Sequence, residues 1–329
     1  MPTPEPERSG SNVPSIPGPS TPLTNSYTYH CPTPTAPGPY ILGVDEAGRG
    51  PVLGPLVYGV AYCPASYQAD LEELGFADSK TLTAEKRSLL LSILGSDPKN
   101  LGWSVRVISP QAISSGMLRV PPTNLNRQSQ DATILLIREV IQRGIQLSEV
   151  YVDALGTTTT YEAYLSSVFP GINFTVTTKA DSKFKIVGAA SVAAKVTRDA
   201  CLEGWIFEES KGNKVVNSSS TWTTEFGSGY PSDPKTQAWL KNSIDPTFGF
   251  PSVVRFSWTT VKVILEREGH GAKWCVHFMR IQRVFNGNLV IRIDEGQESL
   301  MKAFVTPTGR DKDRCVVTKD LSMQSVAYL

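Results

Sequence analysis

From position 40 onward, short hydrophobic runs alternate with longer segments in which apolar residues recur every three or four positions. The short runs predict five β-strands, at 40–45, 56–63, 103–108, 150–153 and 173–177. The longer segments predict helices after Thr83 and at 131–142, 161–168, 186–209, 234–241 and 258–266. Strands that first follow one another tightly and then alternate with helices indicate an α/β fold. We expect a mixed five-stranded sheet with helices on both faces and a C-terminal helical extension.

The chain divides into three regions by composition. Residues 1–39 hold eleven of the 24 prolines and eleven Ser or Thr residues, which predicts a disordered leader. Residues 40–268 carry the regular pattern and form the predicted folded domain. Beyond Gly269 the pattern degrades, and 269–329 is predicted to be a tail.

Charge and cysteine usage exclude several classes of protein. Lys and Arg number 32 against 31 Asp and Glu, so bulk positive charge does not hold nucleic acid here. The five cysteines form no Cys-x-x-Cys pair, which argues against a zinc knuckle or a disulfide framework and favours an intracellular location. The N-terminus lacks the features of a secretory signal, and no apolar run has the ~20 residues that a membrane span needs.

Acidic residues lie at the ends of predicted strands, where functional groups of α/β proteins gather. Asp45 and Glu46 end the first strand, Asp153 ends the strand at 150–153, and Asp181 follows the strand at 173–177. Each could be a solvated loop residue or a helix cap. If the four carboxylates converge, they repel one another, and a divalent cation such as Mg²⁺ or Mn²⁺ relieves that repulsion. Because neighbouring strand residues point to opposite faces, Asp45 and Glu46 share a site only if the chain turns there.

Histidine is excluded as the base of any reaction in the predicted domain's middle. The three histidines are His30, His270 and His277, all outside the segment from the first predicted strand to the last helix. A Ser-His-Asp triad is therefore not available there.

Four further features could contact a phosphate or a sugar. The Gly48-Arg49-Gly50 turn can bring backbone atoms against a ligand, although Gly-x-Gly is also common in ordinary tight turns. Lys80 precedes a helix start, and Lys195 and Arg198 share one helix face. Tyr230 lies in a glycine-rich loop from which it could stack on a sugar or base. Solvated lysines and a tyrosine packed on its own domain are the alternatives.

Several short motifs, taken in order, resemble those of the type 2 ribonucleases H. The resemblance covers about 40–268 and is specific, because it rests on many motifs in one order. They are Val44-Asp45-Glu46-Ala47-Gly48-Arg49-Gly50-Pro51, Asp78-Ser79-Lys80, Asn124-Leu125-Asn126, Val152-Asp153, Lys179-Ala180-Asp181, Ala194-Lys195-Val196 and Gly227-Ser228-Gly229-Tyr230-Pro231. Two further segments resemble the eukaryotic branch of the family, namely Gly229-Tyr230-Pro231-Ser232-Asp233-Pro234-Lys235-Thr236 and Val254-Arg255-Phe256-Ser257-Trp258. The segment Ser182-Lys183-Phe184-Lys185 departs from the family because it is basic where the family is more apolar.

The resemblance implies a ribonuclease H-like fold and an endonuclease that cleaves RNA in RNA/DNA hybrids and cuts 5′ of single ribonucleotides in duplex DNA. It implies two divalent cations, Mg²⁺ or Mn²⁺, and roles for twelve residues. The catalytic metal ligands would be Asp45, Glu46, Asp153 and Asp181, and the substrate contacts would be Gly48, Arg49, Gly50, Lys80, Asn124, Lys195, Arg198 and Tyr230. The turn at Gly48–Gly50 would sense the ribose 2′-hydroxyl, and Tyr230 would engage the sugar beside the scissile phosphate.

The eukaryotic branch of the family further implies a heterotrimer in which this chain is the catalytic subunit. Two accessory subunits would dock on its C-terminal region, since 312–329 resembles the family's C-terminus. The resemblance implies a nuclear location and a role in ribonucleotide removal during DNA replication and repair. One alternative is a non-catalytic, hybrid-binding scaffold subunit of the same fold, which the four intact carboxylates disfavour. Another is a different nuclease or a strand-transfer enzyme on the same fold, which the Gly48-Arg49-Gly50 turn and Tyr230 disfavour.

Overall fold

The computed structural model describes residues 13–18, 21–76, 82–154, 157–209 and 222–270, together with two short strands at 281–282 and 290–291. The strands are β1 Tyr27–His30, β2 Tyr40–Ala47, β3 Leu56–Pro64, β4 Gly102–Ile108, β5 Leu147–Asp153, β6 Asn173–Thr177, β7 Ile281–Gln282 and β8 Val290–Ile291. The helices are α1 Gln68–Glu73, α2 Ala84–Ser96, α3 Pro110–Leu118, α4 Leu125–Gln142, α5 Thr158–Val168, α6 Ala180–Lys183, α7 Lys185–Glu203, α8 Pro234–Ser243 and α9 Thr259–Glu268.

The main sheet is mixed, as the alternation of elements predicts, but it has six strands. Their order is β1-β4-β3-β2-β5-β6. The four strands from β1 to β2 pair antiparallel, whereas β5 runs parallel to β2 and β6 runs parallel to β5. The carboxyl ends of β2, β5 and β6 therefore meet at one edge of the sheet, next to one another.

The sixth strand corrects the prediction that residues 1–39 are a disordered leader. Tyr27–His30 pairs antiparallel with β4 at the sheet's edge. The Tyr27 hydroxyl donates to the Ser15 carbonyl oxygen at 2.8 Å, and the His30 ring contacts the Glu139 carboxylate at 3.2 Å. The proline-rich composition concealed a run of Tyr, Thr and Tyr, residue types that suit a pleated strand. Residues 1–12 lie outside the described part of the chain.

Helices cover both faces of the sheet. On one face, Leu42 and Val44 of β2 join a buried core with Leu136 and Ile137 of α4. On the other face, α7 approaches the sheet so closely that a Cβ atom at Gly43 would lie 2.4 Å from the backbone of Ile186. The small residues near the start of α7 permit this approach, and it fixes the helix directly over β2.

Two helix boundaries differ from those predicted. Helix α4 begins six residues before the predicted 131, because the Asn124 side chain accepts a hydrogen bond from the Arg127 N–H at 2.9 Å. Helix α7 ends at Glu203, followed by Gly204, rather than at 209. The sequence pattern overestimates the length of this helix because apolar residues, Trp205, Ile206 and Phe207, continue beyond Gly204.

The chain separates into two compact units. The first comprises Met1–Ser243 and Phe250–Lys262, and it holds the six-stranded sheet. The second comprises Ile244–Gly249 and Val263–Leu329; within it, His270 N–H donates to the Pro246 carbonyl at 2.8 Å, and β7 pairs with β8. Most of the predicted tail at 269–329 lies outside the described residues. Of the helices that are described, none combines the length and apolarity required to cross a bilayer.

Candidate metal and nucleic-acid site

Two carboxylates lie side by side at the ends of neighbouring parallel strands. Val44 of β2 is in register with Val152 of β5, so Asp45 and Asp153, the next residues, stand at the same level. Asp45 is only 4% exposed. Adjacent strands are about 4.8 Å apart, which makes this a close pair of acidic positions.

A third carboxylate reaches the same edge through a short helix. The Ala180 N–H donates to Asp153 Oδ1 at 2.9 Å, so Asp153 fixes the start of α6. The preceding residue, Lys179, has a φ of 54°, a left-handed conformation that a non-glycine residue seldom adopts. This turn places Asp181, which is 2% exposed, one residue beyond the hydrogen bond to Asp153. Strained backbone of this kind is common at functional sites.

Asp45 and Glu46 point to opposite faces of β2. The strand continues through Ala47, so no turn separates them. Asp45 faces α7, where Lys195 Nζ lies 4.0 Å from its carboxylate. Glu46 faces the other side: burial raises the pKa of the Tyr58 phenol, and the Glu46 carboxylate raises it further. Among the described residues, no group of three or more Asp, Glu, His or Cys side chains is arranged closely enough to hold a metal ion.

Burial and mutual repulsion nevertheless couple these acids. Burial raises the pKa of Asp45 to about 6, and Asp153 adds to the rise, while Lys195 opposes it. Burial raises the pKa of Glu46 to about 8, with further contributions from Asp45 and then Asp153. Buried carboxylates that repel one another and offer only oxygen atoms fit a divalent cation of the Mg²⁺ or Mn²⁺ type.

The Gly48–Gly50 turn follows β2 and is held from behind by a buried arginine. Gly48 has a φ of 80°, and a Cβ there would lie 2.7 Å from the Pro55 carbonyl oxygen. Arg255, which is fully buried, donates to the carbonyl oxygens of Gly48 at 2.6 Å, Arg49 at 3.1 Å and Gly54 at 2.8 Å. The sequence motif around Arg255 predicts no such role, because nothing in one sequence distinguishes a buried arginine from a surface one.

The side chain of Arg49 extends to helix α4. It donates to Ser129 Oγ at 2.7 Å and to the Asn126 side chain. Asn124, a predicted substrate contact, caps the same helix. The arginine of the turn and the start of α4 therefore form one connected polar surface.

Tyr230 lies beside the turn and is 46% exposed. A Cβ at Gly50 would lie 3.0 Å from its ring, so a larger residue there would require the ring to shift by a few tenths of an ångström. The loop is anchored to the turn because the Val52 N–H donates to the Gly229 carbonyl at 2.8 Å. Asp233 organises the loop further: hydrogen bonds, first from the Ser228 N–H, lower its pKa to about 2.

The remaining predicted substrate contacts, Lys195, Arg198 and Lys80, do not share one environment. Lys195 Nζ donates to Ser191 Oγ at 2.5 Å beside Asp45, so it belongs to the acidic cluster. The Arg198 side chain is 13% exposed and lies beneath Gly48, donating through Nη1 to Asp199 at 3.1 Å. No acceptor for Arg198 Nε or Nη2 is found in the described ranges. Lys80 lies outside the described residues.

Comparisons with known proteins agree with the fold described above. The family model "Ribonuclease HII" matches residues 42–261. The A subunit of ribonuclease H2 from Arabidopsis thaliana is 50% identical over 239 residues, which cover 72% of this chain and 78% of that one. The human protein of the same name is 47% identical over 236 residues, covering 72% and 76%. The crystal structure of ribonuclease H2 from Pyrococcus horikoshii is 33% identical with a TM-score of 0.55, covering 69% of this chain and 98% of that chain.

Proposed function

Since this chain belongs to the ribonuclease HII family and is a ribonuclease H hydrolase, we propose that it cleaves the RNA strand of RNA/DNA hybrids and cuts 5′ of single ribonucleotides in duplex DNA. The substrate proposal rests on two neighbouring features of the fold, a pair of carboxylates and a glycine turn. Asp45 and Asp153 lie at the ends of neighbouring parallel strands, and the Gly48–Gly50 turn, which could approach a ribose, begins where the strand of Asp45 ends.

Asp45, Glu46, Asp153 and Asp181 would hold two divalent cations, Mg²⁺ or Mn²⁺. Such a pair supplies an activated water molecule and stabilises the departing 3′-oxygen. Lys195 would offset part of the negative charge at this edge, since its Nζ lies 4.0 Å from the Asp45 carboxylate and also bonds Ser191. The Glu46 side chain leaves the other face of β2, but Asp45 and Asp153 both raise its pKa, so it lies within electrostatic range of both carboxylates.

Substrate recognition would come from the surface around the turn. The 2′-hydroxyl distinguishes RNA from DNA, and glycine positions let backbone atoms reach it. Tyr230, beside Gly50, would pack on the sugar next to the scissile phosphate. Asn124, Arg49 and Lys80 would meet phosphates, with Lys195 and Arg198 adding positive charge near the acidic edge.

The relatives are named as one subunit of ribonuclease H2, which indicates a multi-subunit complex. We place two accessory subunits in it, corresponding to the B and C subunits of ribonuclease H2, with the C-terminal region as their docking segment. A nuclear location and a role in ribonucleotide removal during DNA replication and repair accompany this assignment.

Mapping the cut in a duplex that carries one ribonucleotide tests the proposal. With Mg²⁺ present, we expect the tagged chain, purified with its bound subunits, to cut once, on the 5′ side of the ribonucleotide. An all-DNA duplex of the same sequence should stay intact. Binding of the ribonucleotide duplex without any cut would favour the scaffold alternative, and a cut at another position would contradict the proposed substrate geometry.

A further inference from the structure

Two side chains from the segment between α8 and α9 donate hydrogen bonds to the three carbonyl oxygens of the Gly48–Gly50 turn. Arg255 accounts for the carbonyls of Gly48 and Arg49. The Trp258 indole N–H donates to the Gly50 carbonyl at 3.0 Å. The two side chains also contact each other, because the Arg255 guanidinium lies 4.9 Å from the centre of the Trp258 ring system. They therefore act on the turn as one unit.

Fixing the carbonyls fixes the donors on the opposite side. The peptides of the turn are trans, since the cis bonds of the described chain are Gly38–Pro39 and Val120–Pro121. In a trans peptide the N–H points away from the C=O. The N–H groups of Arg49 and Gly50 therefore point away from Arg255. The next residue is Pro51, which has no N–H, so the turn presents two backbone donors in fixed directions.

Burying the Arg255 charge costs free energy, because the guanidinium loses its contacts with water. Arg255 is a charged side chain with no exposed surface, and its hydrogen bonds in the structure go to backbone carbonyls at 2.6–3.1 Å. A buried charge needs such complete satisfaction to be tolerated. Glycine residues alone are enough to form many tight turns.

We propose that Trp258 and Arg255 are positioning residues that aim the backbone donors of the turn and thereby set the preference for ribose over deoxyribose. The inference rests on the proposed function of the turn as the ribose sensor. Arg255 aims the N–H groups of Arg49 and Gly50 directly. Trp258 acts indirectly, because it packs on Arg255 and holds the Gly50 carbonyl, whose peptide with Pro51 carries no N–H.

The sharpest variant is Trp258→Phe, which keeps an aromatic ring near Arg255 but removes the N–H that bonds Gly50. A matched control is Trp205→Phe. Trp205 is buried, yet its ring N–H has no acceptor among the residues the structure describes, so this change removes an indole N–H without removing a hydrogen bond. Arg255→Lys is a second, stronger perturbation, because one ammonium does not span three carbonyls.

The measurement compares dissociation constants for a duplex with one ribonucleotide and for its all-DNA counterpart, with Ca²⁺ replacing Mg²⁺ to suppress turnover. The protein is the full chain purified with its bound subunits. Losing one neutral hydrogen bond changes an equilibrium by about fivefold. We therefore expect Trp258→Phe to reduce the ribonucleotide preference about fivefold, through weaker binding of the ribonucleotide duplex alone. Trp205→Phe should leave the preference unchanged.

A preference in Trp258→Phe equal to that of Trp205→Phe would overturn the inference, even if thermal stability fell, because a merely structural role changes stability and not the ratio. If the native protein itself shows no preference for the ribonucleotide duplex, the proposed function fails and this inference fails with it. The two failures are thus distinguished by the native protein's own result.

Discussion

Asp45 shows how a single site residue can be costly to the folded protein. Its carboxylate is buried, and its pKa of about 6 is above the ordinary value because of burial and then Asp153, with Lys195 only partly compensating. The folded state therefore disfavours the charged form. The stability lost in this way appears as pH rises from about 4 through 6 and persists above that.

Asp45→Asn removes this charge and should stabilise the metal-free protein at pH 7.5. A raised pKa of this size corresponds to about 2–3 kcal/mol. Urea unfolding in EDTA should show that gain at pH 7.5 and little of it at pH 4.5. Asp70→Asn, at an exposed position of α1, should change stability by less than about 0.5 kcal/mol at both values. A less stable Asp45→Asn variant at pH 7.5 would show that the site is not electrostatically strained.

Tyr230 should matter most where a ribonucleotide meets DNA. Removing an aromatic group that stacks on nucleic acid costs about 1–3 kcal/mol, so Tyr230→Ala should lower kcat/KM at a single ribonucleotide by about tenfold or more. Tyr230→Phe, which keeps the ring, should stay close to the native value. Steady-state kinetics on single-ribonucleotide and continuous-hybrid substrates give the comparison. An equal loss on both would argue against a role at the junction.

The acids were identifiable from sequence because strand ends are recognisable in it, whereas Arg255 was not. Its role depends on a contact with Gly48, 207 positions away, and single-sequence patterns carry no information on such pairs. The opposite orientations of Asp45 and Glu46 did follow from strand alternation. The chain does not turn until after Ala47, and that was visible only in the structure.

Helix α7 is the element that connects the fold to the site. It packs over β2 and β3 at Gly43 and Gly59, where added Cβ atoms would lie 2.4 and 2.5 Å from its backbone. This contact carries Ser191 and Lys195 to Asp45. The small residues of the helix predicted close packing, and the glycine residues of the strands are its counterpart.

Gly43→Ala should therefore destabilise the protein and displace α7. We expect a loss of about 3 kcal/mol, typical of overpacking against backbone, together with reduced cleavage activity as Lys195 moves from Asp45. Gly95→Ala is the matched control, because a Cβ at Gly95 in α2 meets nothing within 4 Å. Thermal unfolding of both variants would test the contact. Equal midpoints would mean that α7 is not tightly packed on β2.

Strand β1 marks where composition misled the prediction. Proline, serine and threonine dominate residues 1–39, yet a four-residue alternation of aromatic and polar side chains suffices when an edge strand offers free backbone partners. That opportunity is tertiary, since β4 is some 75 residues away along the chain. The five strands of the sheet that the sequence did predict each contain their own hydrophobic run.

In the molecule as a whole, segments that are distant in sequence contribute acidic residues to one edge of the main sheet. Asp45 lies 108 positions before Asp153 in the chain, yet the parallel pairing of β2 with β5 places both residues at one edge of the sheet, and Asp181 follows β6 at that edge. The near-neutral net charge of +1 fits a protein that meets nucleic acid through placed groups and bound cations.

Isothermal titration of Mn²⁺ into the metal-free protein tests whether these carboxylates hold divalent cations. Protons compete with the metal at Asp45 and Glu46, whose pKa values are about 6 and 8, so binding should tighten as pH rises from 6 to 8. Asp153→Asn should weaken binding at least tenfold, and Asp70→Asn should leave it unchanged. Mn²⁺ binding that is equally tight in Asp153→Asn would show that the acidic edge is not a metal site.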